Sequence, residues 1–153
     1  MATFQSKQVA AGVQPITPDD ASDTLAITGE YVIPTGGLAS GSIIEFGAIP
    51  DNCIVTDLVV DTGILGTSVT LDAGILSGTY GDKGVRTMGA EFISAGVAAT
   101  AVVLRKSVST AAHAPSDSVR GWGLKIGGAT AAATIKVRAT LFAVSAPSAM
   151  VNA

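Results

Sequence analysis

Few residues in this 153-residue chain could do covalent or metal chemistry, and they are scattered. His113 is the single histidine, set in the segment STAAHAPSD with Asp117 as its nearest acid. One imidazole excludes a multi-histidine zinc site, and no GxSxG elbow supplies the nucleophile of a Ser-His-Asp arrangement. His113 therefore reads as a solvated loop histidine. Cys53, the single cysteine, excludes an intrachain disulfide; it starts an apolar run with Ile54 and Val55 and has no base close in sequence. That setting favours a small buried side chain over a thiolate nucleophile. Asp57 and Asp61 lie four apart, hence on one strand face, with Asp72 on a following run. Three carboxylates could hold a calcium ion, but the spacing is not that of a DxDxDG loop, and a polar face bonded to basic residues is the plainer reading. The pairs Gly36-Gly37 and Gly127-Gly128 lack the Lys-Ser/Thr and the following helix of a phosphate loop, so they read as turns. Arg105-Lys106, Arg120, Lys125, Lys136 and Arg138 are too few, in an acidic chain, for a nucleic-acid surface, and read as a solvated or intersubunit strip. Trp122, Tyr31 and Tyr80 are too sparse for a stacking platform; Trp122 reads as a core or interface anchor. The expectation is no catalytic residue, no metal and no cofactor.

Composition explains why chemistry is so thin. Ala, Gly, Thr and Ser supply nearly half of the chain, while charged residues are 14% and aromatics 5%. Helix-surface residues are scarce and strand and turn formers abundant, which suits a sheet protein. A surface this poor in charge suggests burial against other subunits. Charge is also divided unevenly: residues 1–76 hold nine acids and Lys7, a formal −8, whereas residues 77–153 hold eight bases and three acids, a formal +5. The halves can compensate within one sandwich or between neighbours in a ring. Mean hydropathy is positive, yet the uncharged run 92–104 is too short for a membrane-spanning helix. The opening MATFQSKQ has no apolar segment of the kind a secretory leader carries. The expectation is a soluble protein.

The elements that position these residues are short strands. Strand patterns fall at 24–33, 42–48, 53–61, 67–76, 86–94, 99–107, 120–126 and 135–141, separated by Gly, Pro, Asn and Asp turns. In 53–61, Ile54, Leu58 and Val60 share one face and Asp57 and Asp61 the other. In 120–126, Trp122, Leu124 and Ile126 oppose Gly121, Gly123 and Lys125, and in the last run Ile135, Val137, Ala139 and Leu141 oppose Thr134, Lys136, Arg138 and Thr140. Ala-rich stretches at 95–101 and 129–133 allow helical turns but no long helix. The fold expected is all-β: a jelly-roll-like β-sandwich of about eight short strands. It divides into an extended N-terminal arm over 1–23, a sandwich domain over 24–144 and a C-terminal tail over 145–153.

One stretch carries a resemblance. Glu30-Tyr31-Val32-Ile33-Pro34, Leu38-Ala39-Ser40-Gly41, Ile43-Ile44-Glu45, Ile49-Pro50, Asp57-Leu58-Val59-Val60-Asp61 and Thr70-Leu71-Asp72-Ala73-Gly74-Ile75 resemble a pattern of small structural proteins of tailed bacteriophages, the capsid decoration or cement proteins. The pattern often has Asp after Gly41, where this chain has Ser42. The resemblance implies a β-sandwich subunit, a homo-oligomer and often a trimer, bound to the major capsid protein outside an icosahedral head, where it clamps neighbouring capsomers. It also implies synthesis in the host bacterial cytoplasm, a final place on the virion's capsid surface, and no enzymatic role, direct nucleic-acid contact or membrane. The alternative is another phage structural component, a head fibre base or a tail-associated protein.

Overall fold

Alternating apolar residues bounded by turn formers become nine strands. The computed structural model describes residues 3–12, 24–110 and 115–146. In chain order these hold β1 (Thr3–Gln5), α1 (Lys7–Ala10), β2 (Thr24–Val32), β3 (Ile43–Ile49), β4 (Cys53–Thr62), β5 (Thr70–Ile75), β6 (Ile93–Val97), β7 (Val102–Arg105), β8 (Arg120–Gly127) and β9 (Lys136–Ser145). Two sheets form, ordered β1-β3-β8-β5-β6 and β2-β9-β4-β7. β1 joins β3 in parallel, and the other pairings are antiparallel. From β2 onward the chain changes sheet at every connection except β5 to β6, the connectivity of a jelly-roll-like sandwich.

The core lies between the sheets and follows the two-residue period. Trp122, Leu124 and Ile126 of β8 and Val137, Ala139 and Leu141 of β9 are fully buried in it. Trp122 stacks on Phe46 with ring centroids 5.8 Å apart, so it is a core residue. Gly29, which interrupts the apolar alternation of β2, sits where a Cβ would come within 2.7 Å of the Phe46 ring. Its missing side chain lets the two sheets close over that ring. The turn from β3 to β4 places Asn52 at φ 54°, a left-handed conformation that Asn tolerates.

Four expectations change. A bulge between Val55 and Asp57 reverses the face of the first residues of β4. Cys53 therefore enters the core with Leu58 and Val60, while Ile54 does not. The strand expected at 86–94 is irregular up to Phe92 and begins at Ile93, because Arg86 is drawn inward to a buried acid described below. The Ala-rich stretch 95–101 begins in strand β6, with Ala95 at φ 51°, and forms no helical turn, because pairing with β5 supplies the hydrogen bonds of its first residues. Of the segment expected as an arm, 3–12 packs on the sandwich through β1 and buried Val9. Residues 13–23, His113 and the tail beyond Ala146 lie outside the described residues. Among the described residues no helix is long and apolar enough to cross a membrane.

Candidate functional site

The outward face of the first sheet is covered by a loop. Glu45 of β3, Gly123 of β8 and Gly74 of β5 lie side by side across this sheet. The glycines leave the floor bare, and residues 77–91 lie down on it: a Cβ on Gly74 would run into Glu91 and Gly89, and one on Gly121 into Glu45. Arg86 Nη1 donates to Glu45 Oε1 at 2.8 Å, with side chains only 2% and 0% exposed. Two fully desolvated charges persist only when matched and hydrogen-bonded. Further bonds add to the match, though among the described residues the buried Arg86 Nη2 has no hydrogen-bond partner. Arg86 Nε donates to the Ser77 carbonyl at 2.6 Å, and the Gly81 amide lies 3.3 Å from Glu45 Oε2. Strand β1 holds the same loop from the side, Gln5 Nε2 donating to the Gly81 carbonyl at 2.9 Å and Thr3 Oγ1 to the Gly84 carbonyl at 3.1 Å. Burial, with the Glu45 charge beside it, pushes the Tyr80 phenol above its usual range.

The outward face of the second sheet carries the other charges. Glu30 of β2, Arg138 of β9, Asp61 of β4 and Val103 of β7 form one row across it. Glu30 gathers three bases: Lys7 Nζ at 2.9 Å, Arg138 Nη2 at 3.0 Å and Lys136 Nζ at 3.6 Å. The hydrogen bonds from Lys7 and then Arg138 hold its carboxyl at about 2. Asp57 pairs with Arg105, which lowers its carboxyl as well.

The structure distributes the sequence's candidate residues over both sheets. Asp57 and Asp61 do share a face, but Asp72 lies in the other sheet, where its Oδ1 accepts from the Ala95 amide at 2.7 Å. Among the described residues no three His, Cys, Asp or Glu side chains group around a metal position. Gly37 and Gly128 occupy left-handed turns at φ 76° and 74°. Cys53 is buried, and burial pushes its thiol up. The basic strip is dispersed: Lys136 and Arg138 sit on Glu30, Arg105 on Asp57, and Lys125 in the first sheet opposite Asp72. The ion pairs of Glu45, Asp57 and Glu30 join the acidic half to the basic half within one chain.

The loop over the first sheet was not visible as a site in the sequence. Glu45 stood out as the lone charge in an otherwise apolar run, and that was the available signal, because a buried acid demands a buried base. Nothing local pointed to Arg86 as that base.

The exposed remainder is edges and tips. Both β6 and β7 end their sheets and expose Val97 and Val103, and between Phe92 and Leu104 there is no charged residue. Among the described residues Val85, in the pinned loop, is the most exposed of the large hydrophobic side chains at 79%.

No protein-family model matches the chain, and no curated protein matches it. Two solved structures are similar over nearly its whole length. A chain of the capsid of Ralstonia phage GP4 is 31% identical, with a TM-score of 0.85, covering 96% of this chain and 100% of that one. A chain of the cyanophage Pam1 capsid asymmetric unit is 14% identical with a TM-score of 0.61, covering 88% and 94%, and shows a shared fold.

Proposed function

Because the chain belongs to a bacteriophage capsid protein family, with a full-length relative in the GP4 capsid, we propose that it is a decoration protein. In this reading it binds the major capsid protein on the outside of a phage head, as a homotrimer, and strengthens contacts between capsomers. It is made in the host cytoplasm and ends on the virion surface, with a structural rather than enzymatic role. The observation that carries the reading is the full coverage of the GP4 chain at 31% identity. The architecture fits: with the charges of Glu45, Asp57 and Glu30 paired within the chain, the uncharged run 92–104 at the sheet edges is open to protein contacts. Weak contacts repeated around a symmetric ring add into strong avidity.

The direct test is cosedimentation with purified DNA-free heads of its phage, followed by heating of heads with and without the protein. The reading expects saturable pelleting, a trimer by light scattering, and a higher disruption temperature for decorated heads. Binding to tails with none to heads would replace it with the tail-associated alternative.

A further inference from the structure

We infer that the β6–β7 side of the sandwich is the contact between copies of this chain, β6 of one copy lying against β7 of the next around a ring. This rests on the homo-oligomer of the decoration reading and adds the surface that builds it. β6 ends the first sheet and β7 the second, and among the described residues neither has a second strand partner. The two edges lie side by side, since a Cβ on Gly96 of β6 would come within 2.9 Å of the Leu104 side chain of β7. Both edges are open along the main chain. The Lys106 amide donates to the Leu58 carbonyl at 2.9 Å, in line with the Val59–Arg105 and Val60–Leu104 pairs. The alternation of an antiparallel ladder therefore turns the amide and carbonyl of Val103 away from β4. On β6 the Ala98 amide donates to the Val69 carbonyl at 3.1 Å beside the Thr70–Val97 pair, so the main chain of Val97 faces away from β5. The side chains of Val97 and Val103 are 61% and 58% exposed.

The opposite side of the sandwich shows how this chain closes an edge. There β1 and β2 end the sheets, the Glu30 amide of β2 donates to Gln8 Oε1 at 3.2 Å, and Lys7 pairs with the Glu30 carboxylate. β6 and β7 have no such cover. Residues 92–104 contain no charge and no proline, two of the devices that keep natural sheet edges from pairing.

The missing charge favours a second copy as the occupant. In a ring, each residue facing the axis is repeated beside its own copies, so a charged strip repels itself and an uncharged one does not. A strand edge is also matched by another strand edge, and a second copy carries two. The valines select the pairing. Val103 stands on the outer face of the second sheet, in the row of Asp61 and Arg138, and Val97, next to buried Ala98, on the outer face of the first. They point away from each other within one subunit. Rotation about an axis along the strands sets Val97 of one copy facing Val103 of the next, where each covers the other's apolar surface.

The test measures the oligomeric state of the wild type, Val97→Asp and Val103→Asp by light scattering over a concentration series, with circular dichroism to show that each chain is folded. Each substitution is expected to weaken association at least about tenfold, as a central contact residue does, with an unchanged spectrum. A second measurement identifies the pairing. An equimolar mixture of Val97→Cys and Val103→Cys chains, treated with a short bismaleimide, should give covalent dimers, and either variant alone should give none. Buried Cys53 stays outside this chemistry. A monomeric wild type, or an oligomer that neither Asp variant weakens, overturns the inference and leaves head binding to be decided by cosedimentation. Cross-linking within one variant alone, or none in the mixture, overturns the pairing of β6 with β7. A wild type that associates through this edge yet never pellets with heads ends the decoration reading and leaves the edge contact standing.

Discussion

Arg86 and Glu45 stand 41 residues apart in sequence, yet their side chains meet at 2.8 Å beneath a loop, out of reach of solvent. The pair joins a strand of the first sheet to the segment that covers it. The same loop rests on the glycine floor and takes lateral bonds from Thr3 and Gln5 of β1.

Removing one partner leaves the other as an uncompensated buried charge. Arg86→Met is expected to destabilise by about 3–5 kcal/mol in urea unfolding, and adding Glu45→Gln to recover part of that loss. Arg86→Lys should recover only part, because an ammonium cannot reproduce the fork that reaches both Glu45 and Ser77. A single-variant loss below about 0.5 kcal/mol, the range of ordinary surface changes, would refute the structural role of the pair.

Gly29→Ala places a methyl group 2.6 Å from the Phe46 carbonyl oxygen and 2.7 Å from its ring. Overpacking of this kind costs about 1–3 kcal/mol. Gly36→Ala meets open space at ordinary φ and is expected to be neutral or slightly stabilising. Thermal unfolding of the two variants side by side checks the contrast.

Acid should weaken the outer face of the second sheet. Glu30 falls from an ordinary 4.5 to about 2 through Lys7 and Arg138, so its folded form binds the proton less readily than the unfolded chain does. The stabilisation is present above pH 4.5 and is lost as pH falls through that value towards 2. Glu30→Gln should flatten the stability profile across this window, and an unchanged profile would count against the contact. Solvent around these side chains keeps the effect small.

Cys53 should resist thiol reagents in the folded state. It is 1% exposed, and burial raises its thiol, so the reactive thiolate is scarce at neutral pH. Labelling with a chromogenic disulfide at neutral pH should proceed only as fast as the chain opens, and should become rapid in denaturant. Immediate full labelling of native protein would contradict its place in the core.

Legibility in the sequence tracked the range of the interactions. β8 and β9 were readable because Trp122-Leu124-Ile126 and Val137-Ala139-Leu141 repeat every two residues against polar or glycine neighbours. β1 was not, since three residues make no period and their place comes from parallel pairing of Thr3, Phe4 and Gln5 with Ile43, Ile44 and Glu45. The bulge in β4 was equally silent, because one inserted residue changes the face of Cys53 and Ile54 without changing composition. The apolar run around Glu45 in β3 marked the strand as covered on both sides, without naming the cover.

By itself the sequence determined the class of molecule. Strand-forming alternation and turn residues dictate a sandwich, and the scarcity of nucleophiles and ligands directs attention to contacts between proteins. Its uneven charge halves left two pairings open, within a chain or between chains. Tertiary structure decided for the first at Glu45–Arg86, Asp57–Arg105 and Glu30–Arg138. Those partners lie 41, 48 and 108 residues apart and meet only once the strands within each sheet have paired. Local propensity cannot encode a contact of that range, because it exists only when the intervening strands have already found their registers.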